Sequence, residues 1–173
     1  MAKLRKMLGD VDSPECIAMM RLIETQSEST LARWALDYVE SRILPIYKKK
    51  AGGDRRLDVL VQACQQVVQL HQPGKTGKSW IKEAGQIARE TSDPVAQAAV
   101  RAIAAACGTL TTPTSALGFL FYATAALVYD QGLDLSSSKM EELTRQIWQD
   151  AHASLSAQSV KNEPCPAKIQ WYC

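Results

Sequence analysis

One segment contains the residue types of a phosphate-binding loop: Gly74-Lys-Thr-Gly77-Lys78-Ser79. Such a loop also needs a glycine five positions before Gly77 and a β-strand ahead of it, because backbone N–H groups must surround the phosphates. The required position holds Gln72, and the residues before it show a helical spacing of apolar side chains. We therefore interpret the segment as a glycine-lysine connecting loop and predict no nucleotide site there.

Histidine and cysteine are the next residue types that could act, as metal ligands or as a nucleophile with its base. His71 and His152 have no partner at zinc-ligand spacing, and no local signature marks a catalytic cysteine. The cysteines are odd in number and widely spaced: Cys16, Cys64, Cys107, Cys165 and Cys173. Free thiols among apolar residues behave as small apolar side chains and favour a reducing, cytoplasmic location. The sequence therefore predicts no catalytic residue, no metal ligand and no cofactor.

Two pairs of carboxylates have helical placement, Asp37 with Glu40 and Glu141 with Glu142. General acid–base catalysis needs carboxyl groups whose pKa is raised by burial. Both pairs lie instead among cations of the same predicted helices, namely Arg33, Arg42, Lys139 and Arg145. The pattern therefore predicts surface ion pairs.

Six cations gather around Pro45, which bends or ends a helix because it lacks an N–H and clashes with the preceding turn. We call this set the basic lip; it consists of Arg42, Lys48, Lys49, Lys50, Arg55 and Arg56. Only Asp54 and Asp58 lie within it as counter-charges. One interpretation is a solvated loop, with Asp54 and Arg56 bracing it. The other is a partner-binding surface for an acidic protein, since such patches steer association.

The elements that position these residues are organised by an uncharged stretch between Arg101 and Asp130. Gly108 and Pro113 divide it into two apolar segments, and neither reaches the ~20 residues of a membrane span. Gly108 predicts a helix end, and Thr112 followed by Pro113 predicts an N-cap with proline at the first helical position. The stretch therefore predicts a hairpin of two helices buried on nearly every side.

Five further helices are predicted around this pair. The clearest has apolar side chains at helical spacing from Leu57 to Val68, and Ser138 with Glu141 predicts a capping box at the start of the last. No segment alternates as a strand would. The sequence thus predicts an all-α fold, a compact bundle of about seven mostly antiparallel helices around a buried central helical pair. Residues 1–157 are predicted to form a single domain, and residues 158–173 a poorly ordered C-terminal tail.

Charge limits the partners that the chain can bind. The net charge is +2 and the isoelectric point is near 8.3, which is too mild to indicate nucleic acid. The basic residues 3–6 are not followed by the apolar run of a secretory signal.

Several short motifs, spread over roughly residues 15–133, match a known pattern in order and spacing. They are Arg21-Leu-Ile-Glu24, Ala32-Arg-Trp-Ala-Leu-Asp-Tyr38, Leu44-Pro-Ile-Tyr47, Asp54-Arg-Arg56, Thr112-Pro-Thr-Ser-Ala-Leu-Gly118, Phe121-Tyr122 and Ala125-Ala-Leu-Val-Tyr-Asp130. Together they resemble a family of small all-helical bacterial immunity proteins of polymorphic toxin systems. Two departures stand out. Threonine and serine occupy positions 109–115 where the family tends to carry histidines, and Asp54-Arg-Arg-Leu57 replaces a more regular Asp-x-Arg-Pro element.

The resemblance implies a role, protection against a toxin, without a mechanism. We therefore expect a cytoplasmic immunity protein that is not an enzyme and binds a cognate protein toxin stoichiometrically, with no membrane or nucleic-acid partner and with homo-oligomers left open. The alternative is a small-ligand-binding protein or enzyme with a pocket between the central helices. Its support would be an inward-facing hydroxyl among Thr109, Thr111, Thr114, Ser115 and Thr124. A weaker option is an adaptor that binds nucleic acid through the basic lip.

Overall fold

The computed structural model describes residues 3–52, 54–71 and 77–172, apart from the side chains of residues 77 and 78. Within these residues the fold is all-helical, without a strand. The helices are α1 (Pro14–Ile23), α2 (28–51), α3 (Arg56–Gln69), α4 (Gly77–Glu90), α5 (Pro94–Cys107), α6 (Ser115–Gln131) and α7 (Ser137–Gln158). The predicted helical bundle is confirmed. Residues 72–76 lie outside the described residues, whereas residues 77–79 form the start of α4, so the glycine-lysine loop ends earlier than predicted. The prediction that no nucleotide binds there stays a prediction.

The central pair consists of α5 and α6, which pack against each other more extensively than any other two helices described. Both are buried on most of their surface, as the absence of charge predicts. A short 3₁₀ turn, Gly108–Leu110, ends α5. The predicted start of α6 is wrong by two residues, because the carbonyls of Thr112 and Pro113 accept hydrogen bonds from Ser115 and Ala116 in a separate turn. Pro113 thus lies before the helix.

Helix α2 runs through the Pro45 position without ending. It comprises Glu28–Tyr38, a wider π turn at Val39–Ile43, and Leu44–Ala51. The wide turn follows from the missing proline N–H, because the backbone hydrogen bonds of the helix must rearrange where one donor is lost. The predicted distortion near Leu44 is confirmed as a change of pitch within one continuous helix.

Aromatic side chains join α2 to the central pair. The rings of Trp34 and Tyr38 lie 5.2 and 5.7 Å from that of Phe119 on α6, both edge to face. Such contacts add stability beyond the area that they bury. The inner surface of α2 is therefore fixed against the core, and its exposed surface carries Arg42, Lys48, Lys49 and Lys50 of the basic lip.

Side-chain caps start four of the helices. The side chains of Ser13, Ser27, Asp93 and Ser136 each accept a hydrogen bond from a backbone N–H in the first turn that follows. The predicted capping box at Ser138 is wrong, because Ser136 caps α7 and Ser138 already lies inside it. Serine is a favoured N-cap residue, and three serines follow one another here. The first of them, Ser136, is the N-cap, so the helix begins at the second.

The chain ends add two irregular segments. The N-terminal segment, residues 3–12, is joined to α6, since Leu8 N donates to Phe121 O at 3.1 Å and the Tyr129 hydroxyl donates to Arg5 O at 2.7 Å. The C-terminal strap, residues 159–172, follows α7 and runs along the corner between α1 and α2. Among the described residues, no helix has both the length and the apolarity that crossing a membrane requires.

Candidate partner-binding surfaces

The basic lip is largely neutralised within the molecule. Lys48 Nζ lies 2.5 Å from Asp58 Oδ1, and Lys49 Nζ lies 2.7 Å from Asp130 Oδ1 at the end of α6. Arg56 contacts both Asp54 and Glu90. Half of the six cations therefore already have a carboxylate partner, and two of these ion pairs join elements far apart in sequence.

The loop between α2 and α3 is braced by a network around Asp54. Its carboxylate accepts the Tyr47 hydroxyl at 2.8 Å, the Arg56 backbone N–H at 3.0 Å and the Arg56 guanidinium, which also reaches Glu90 at 2.8 Å. The hydrogen bonds from Arg56 hold the pKa of Asp54 well below its usual range. Burial, with the bond to Asp54, raises the pKa of Tyr47 to about 12. The bracing role considered for Asp54 and Arg56 is what the structure shows.

The remaining lip cations differ from one another. The Arg42 guanidinium carbon lies 4.5 Å from the centroid of the Tyr38 ring, a cation–π contact that leaves its charge unneutralised. Lys50 and Arg55 are exposed, and neither has an ion-pair partner among the described residues. The charge that the lip can offer a partner therefore comes mainly from Arg42, Lys50 and Arg55.

The prediction that the two carboxylate pairs form surface ion pairs is confirmed only in part. Glu142 pairs with Lys139 at 3.1 Å. Asp37 and Glu40 instead share Gln65 of α3, whose amide lies 3.5 and 2.9 Å from their oxygens. Burial, with the repulsion of Glu40, raises the pKa of Asp37. The difference arises because α2 and α3 pack together and bring an amide to the carboxylates.

The interior offers little support for a ligand site between the central helices. Thr109 and Thr124 are buried, but their hydroxyls donate to Ala106 O and Leu120 O of their own helical turns at 2.5 and 2.6 Å. Thr111 bonds back to Gly108 O in the same way. Hydroxyls that are already satisfied by the backbone provide no anchor for a ligand.

The buried thiols pair with each other. Cys64 Sγ of α3 lies 3.3 Å from Cys107 Sγ of α5, and both side chains are fully buried. The hydrogen bond to Cys64, with burial, raises the pKa of the Cys107 thiol well above its usual range, so it stays protonated. Protonated, buried thiols are poor nucleophiles and poor metal ligands. In the described part of the chain, no three His, Cys, Asp or Glu side chains converge where a metal ion could be held.

Three depressions of the surface lie around α1 rather than at the basic lip. A cleft of about 570 Å³ separates the N-terminal segment from α7. Its lining residues are Arg5, Leu8, Gly9, Asp10, Ser13, Glu15, Ser137, Met140, Glu141, Thr144, Arg145 and Trp148. Trp148 is only 2% exposed, and its indole N–H has no hydrogen-bond partner among the described residues. On the other side of α1, a groove of about 250 Å³ is lined by Val11, Asp12, Ile17, Met20, Arg21, Glu24 and Trp171.

The floor of the larger cleft is built by close packing. The Phe121 and Trp148 rings lie edge to face at 4.9 Å. Gly9 crosses over them with φ +135°, and a Cβ there would lie 2.9 Å from the Phe121 ring. Only glycine fits both the backbone conformation and the space. The N-terminal segment is therefore held directly against the core.

The C-terminal strap is anchored by its own carboxylate. Glu163 accepts hydrogen bonds from Ser27 N at 2.7 Å, Ser27 Oγ at 2.8 Å and Thr30 Oγ1 at 2.6 Å, at the positive end of α2. Partial burial opposes ionisation, but these hydrogen bonds outweigh it and lower the pKa of Glu163. The buried Gln26 bonds Val160, and the Trp171 indole donates to Glu24 at 2.7 Å. A segment without helix or strand thus makes specific contacts.

Comparison with known proteins places this architecture in a family. The model of the family described as Imm-5 like putative immunity protein matches residues 21–153, from the end of α1 through most of α7. No curated protein matches significantly. The same is true of solved structures. The match covers well over half of the chain and contains the central pair, α2 and the basic lip. The chain therefore belongs to the Imm-5 like putative immunity protein family.

Proposed function

We propose that this protein neutralises a cognate protein toxin by forming a stoichiometric complex with it. The single observation that carries the proposal is family membership over residues 21–153, since the role of the family is immunity. Binding rather than catalysis is supported by the interior, where the hydroxyls of Thr109 and Thr124 and the thiol of Cys107 are occupied by their own neighbours. Cys64 and Cys107 form no disulfide although their sulfurs lie 3.3 Å apart, which also supports a reducing, cytoplasmic site of action.

A rigid helical scaffold is suited to such a role. Specific protein complexes bury about 800 Å² per partner and depend on a few well-placed anchors. A preformed surface loses less conformational freedom on binding than a flexible one. The aromatic cluster of Trp34, Tyr38 and Phe119, with the caps of the helices, supplies that rigidity.

The basic lip, made of Arg42, Lys48, Lys49, Lys50, Arg55 and Arg56, stays a proposal as the alternative partner-binding surface, one that would suit an acidic toxin. Its ion pairs limit what it can contribute, because a charge held by Asp58 or Asp130 must be released before a partner can use it. A Lys50→Glu/Arg55→Glu variant reverses the two cations without ion-pair partners and leaves those pairs intact. If the lip meets an acidic partner, this variant should associate more slowly, with a weaker dependence on salt.

The proposal predicts that a gene beside this one encodes the toxin, and it is tested with that gene product expressed from an inducible promoter. Co-expression of the wild-type protein should restore growth, and the two purified proteins should elute as a single complex of fixed stoichiometry in size-exclusion chromatography with light scattering. Growth restored without a complex would contradict neutralisation by binding. If the protein neither restored growth nor formed a complex, the proposed function itself would be contradicted.

A further inference from the structure

We propose that the toxin docks on a face centred on α1, which we call the α1 face. It consists of the N-terminal segment, the outer side of α1, the first half of α7 and the end of the strap at Trp171. The proposal rests on the proposed function, because its occupant is the same toxin. The occupant is a protein surface that presents an apolar side chain flanked by basic side chains.

The shape of this face is that of a ridge between depressions. Helical spacing turns Glu15 and Ala18 toward one flank of α1, and Ile17 and Met20 toward the other. The large cleft and a second depression of about 310 Å³, lined by Pro14, Glu15, Ala18, Trp148, Gln149 and His152, lie on the α7 side. The groove toward Trp171 lies on the strap side. A partner that straddles α1 can enter depressions on both sides of it.

The apolar character of the ridge is not explained by folding. α1 buries Cys16, Met19 and Ile23 on its inner side, as its role in the core requires. Ile17 nevertheless stands on the outer side, 45% exposed, in a groove that it shares with Val11. A single exposed apolar residue is ordinary, but exposed apolar side chains gathered around a concave surface mark interaction sites.

The charge of the face selects the partner. The three depressions are lined by five carboxylates and three arginines, although the chain as a whole carries a net charge of +2. Arg21 already pairs with Glu24 at 3.3 Å, and Arg145 approaches Glu15 at 3.9 Å. The remaining charged groups are Asp10, Asp12 and Glu141 against Arg5. Lys3 and Lys6 belong to the same segment but line none of these depressions. Complementary potentials steer association, so the depressions, which are lined by more carboxylates than arginines, fit basic side chains.

Much of this face lies outside the part of the chain that the family shares. The match begins at residue 21 and ends at residue 153, whereas the N-terminal segment, most of α1 and the strap lie beyond those limits. The strap is fixed by Glu163, which places Trp171 beside α1. Recognition of one toxin among several requires features that a common scaffold does not have.

The first test compares two matched substitutions of an exposed apolar residue. Ile17→Asp changes the centre of the α1 face, and Val59→Asp makes a similar change on α3 beside the lip, where Val59 is 64% exposed. Both proteins should keep the wild-type unfolding temperature. For the toxin encoded beside the gene, we expect Ile17→Asp to raise Kd by about tenfold to a hundredfold, as loss of an anchor does. Val59→Asp should leave Kd within about twofold.

The second test concerns charge. Asp12→Lys/Glu141→Lys reverses carboxylates that have no ion-pair partner among the described residues, and Lys50→Glu/Arg55→Glu is the corresponding change on the lip. We expect the first variant to associate with the toxin more slowly, by about tenfold at low salt, and the second to associate at the wild-type rate or faster.

The outcomes separate this inference from the function on which it rests. Wild-type protein that forms no complex contradicts the proposed function, and the inference loses its partner with it. A wild-type complex that Ile17→Asp leaves unchanged contradicts the α1 face alone. If only the lip variant, Lys50→Glu/Arg55→Glu, binds the toxin more weakly or more slowly, the interface lies on the lip instead.

Discussion

The basic lip and the α1 face differ in how far their functional groups are used by the protein itself. At the lip, conspicuous charges turn out to brace the fold: Lys48, Lys49 and Arg56 all hold carboxylates, and Asp54 fastens the loop before α3. Around α1, by contrast, apolar side chains and carboxylates surround open depressions. The comparison teaches that a charged cluster in sequence indicates an interface only when its charges stay unpaired after folding.

The largest effect is expected where the α1 face rests on the core. Phe121 is 8% exposed and packs against Trp148 and Gly9. Phe121→Ala should therefore lower the free energy of unfolding by about 3–5 kcal/mol through the cavity that it leaves. Phe121→Leu, which keeps much of the volume, should lower it far less. Urea unfolding followed by circular dichroism measures both, and equal stability of Phe121→Ala and wild type would show that the face is not anchored there.

A smaller effect should distinguish two glycines, one in each region. Gly9 combines φ +135° with a close contact to Phe121, whereas Gly52, at the end of α2 beside the lip, has φ +68° and open space around its Cα. Gly52→Ala should cost about 1–3 kcal/mol from backbone strain alone, because φ +68° with ψ −133° lies outside the regions that L-residues adopt readily. Gly9→Ala adds the overlap with the ring, which typically costs about 1–3 kcal/mol more. Thermal unfolding that ranks the two variants in the opposite order would contradict the packing described for the cleft floor.

Acid should weaken the structures that support both regions, because Asp54 braces the loop of the basic lip and Glu163 anchors the strap that ends at the α1 face. The pKa of Asp54 is lowered chiefly by Arg56, and the pKa of Glu163 is lowered by Thr30 and Ser27. A lowered pKa contributes stability that is complete above the unfolded value, about 4, and is lost as the pH falls through the folded value. We therefore expect the unfolding temperature to fall below about pH 4. Asp54→Asn and Glu163→Gln should each reduce that slope, and an unchanged slope would show that the carboxylate is not held as described.

The smallest effect on stability is expected from the lip cations without partners. Lys50→Glu/Arg55→Glu removes no ion pair, so the free energy of unfolding should change by no more than about 0.5 kcal/mol per residue. Lys49→Ala is the matched comparison, because it removes the ion-pair partner of Asp130. It should lower the free energy of unfolding by more. Chemical unfolding of the two variants measures both free energies. A larger loss of stability in Lys50→Glu/Arg55→Glu than in Lys49→Ala would mean that Lys50 or Arg55 has a structural role.

The sequence is informative where a single residue type leaves few alternatives. The uncharged stretch predicts the central pair, because an element without polar residues has to be buried, and Pro45 predicts the distortion of α2. The start of α7 is predicted wrongly, because Ser138 with Glu141 satisfies the capping-box pattern whereas the structure caps the helix with Ser136. The motifs from Arg21 to Asp130 are enough to identify the family.

The contacts that decide function are the ones that the sequence does not predict. Lys48 and Lys49 find Asp58 and Asp130 only after α3 and α6 have packed beside α2. The strap has no apolar periodicity, and its attachment depends on the polar side chains of Gln26 and Glu163. A segment predicted as a poorly ordered tail therefore makes specific contacts with the body, and we propose that the domain extends through it. Folding brings such partners together from distant parts of the chain, so their contacts cannot be predicted from the spacing of residues in the sequence.

The most direct test of where the toxin binds is hydrogen–deuterium exchange of the complex formed with the toxin encoded beside the gene. The account predicts slower exchange on binding in residues 5–24 and 137–148, with exchange in residues 42–56 unchanged. In the free protein, we expect the hydrogen-bonded amides of α1 and α7 to exchange slowly, so the N-terminal segment and the first turns of these helices should show the clearest change on binding. Protection confined to residues 42–56 would contradict the account and identify the basic lip as the interface.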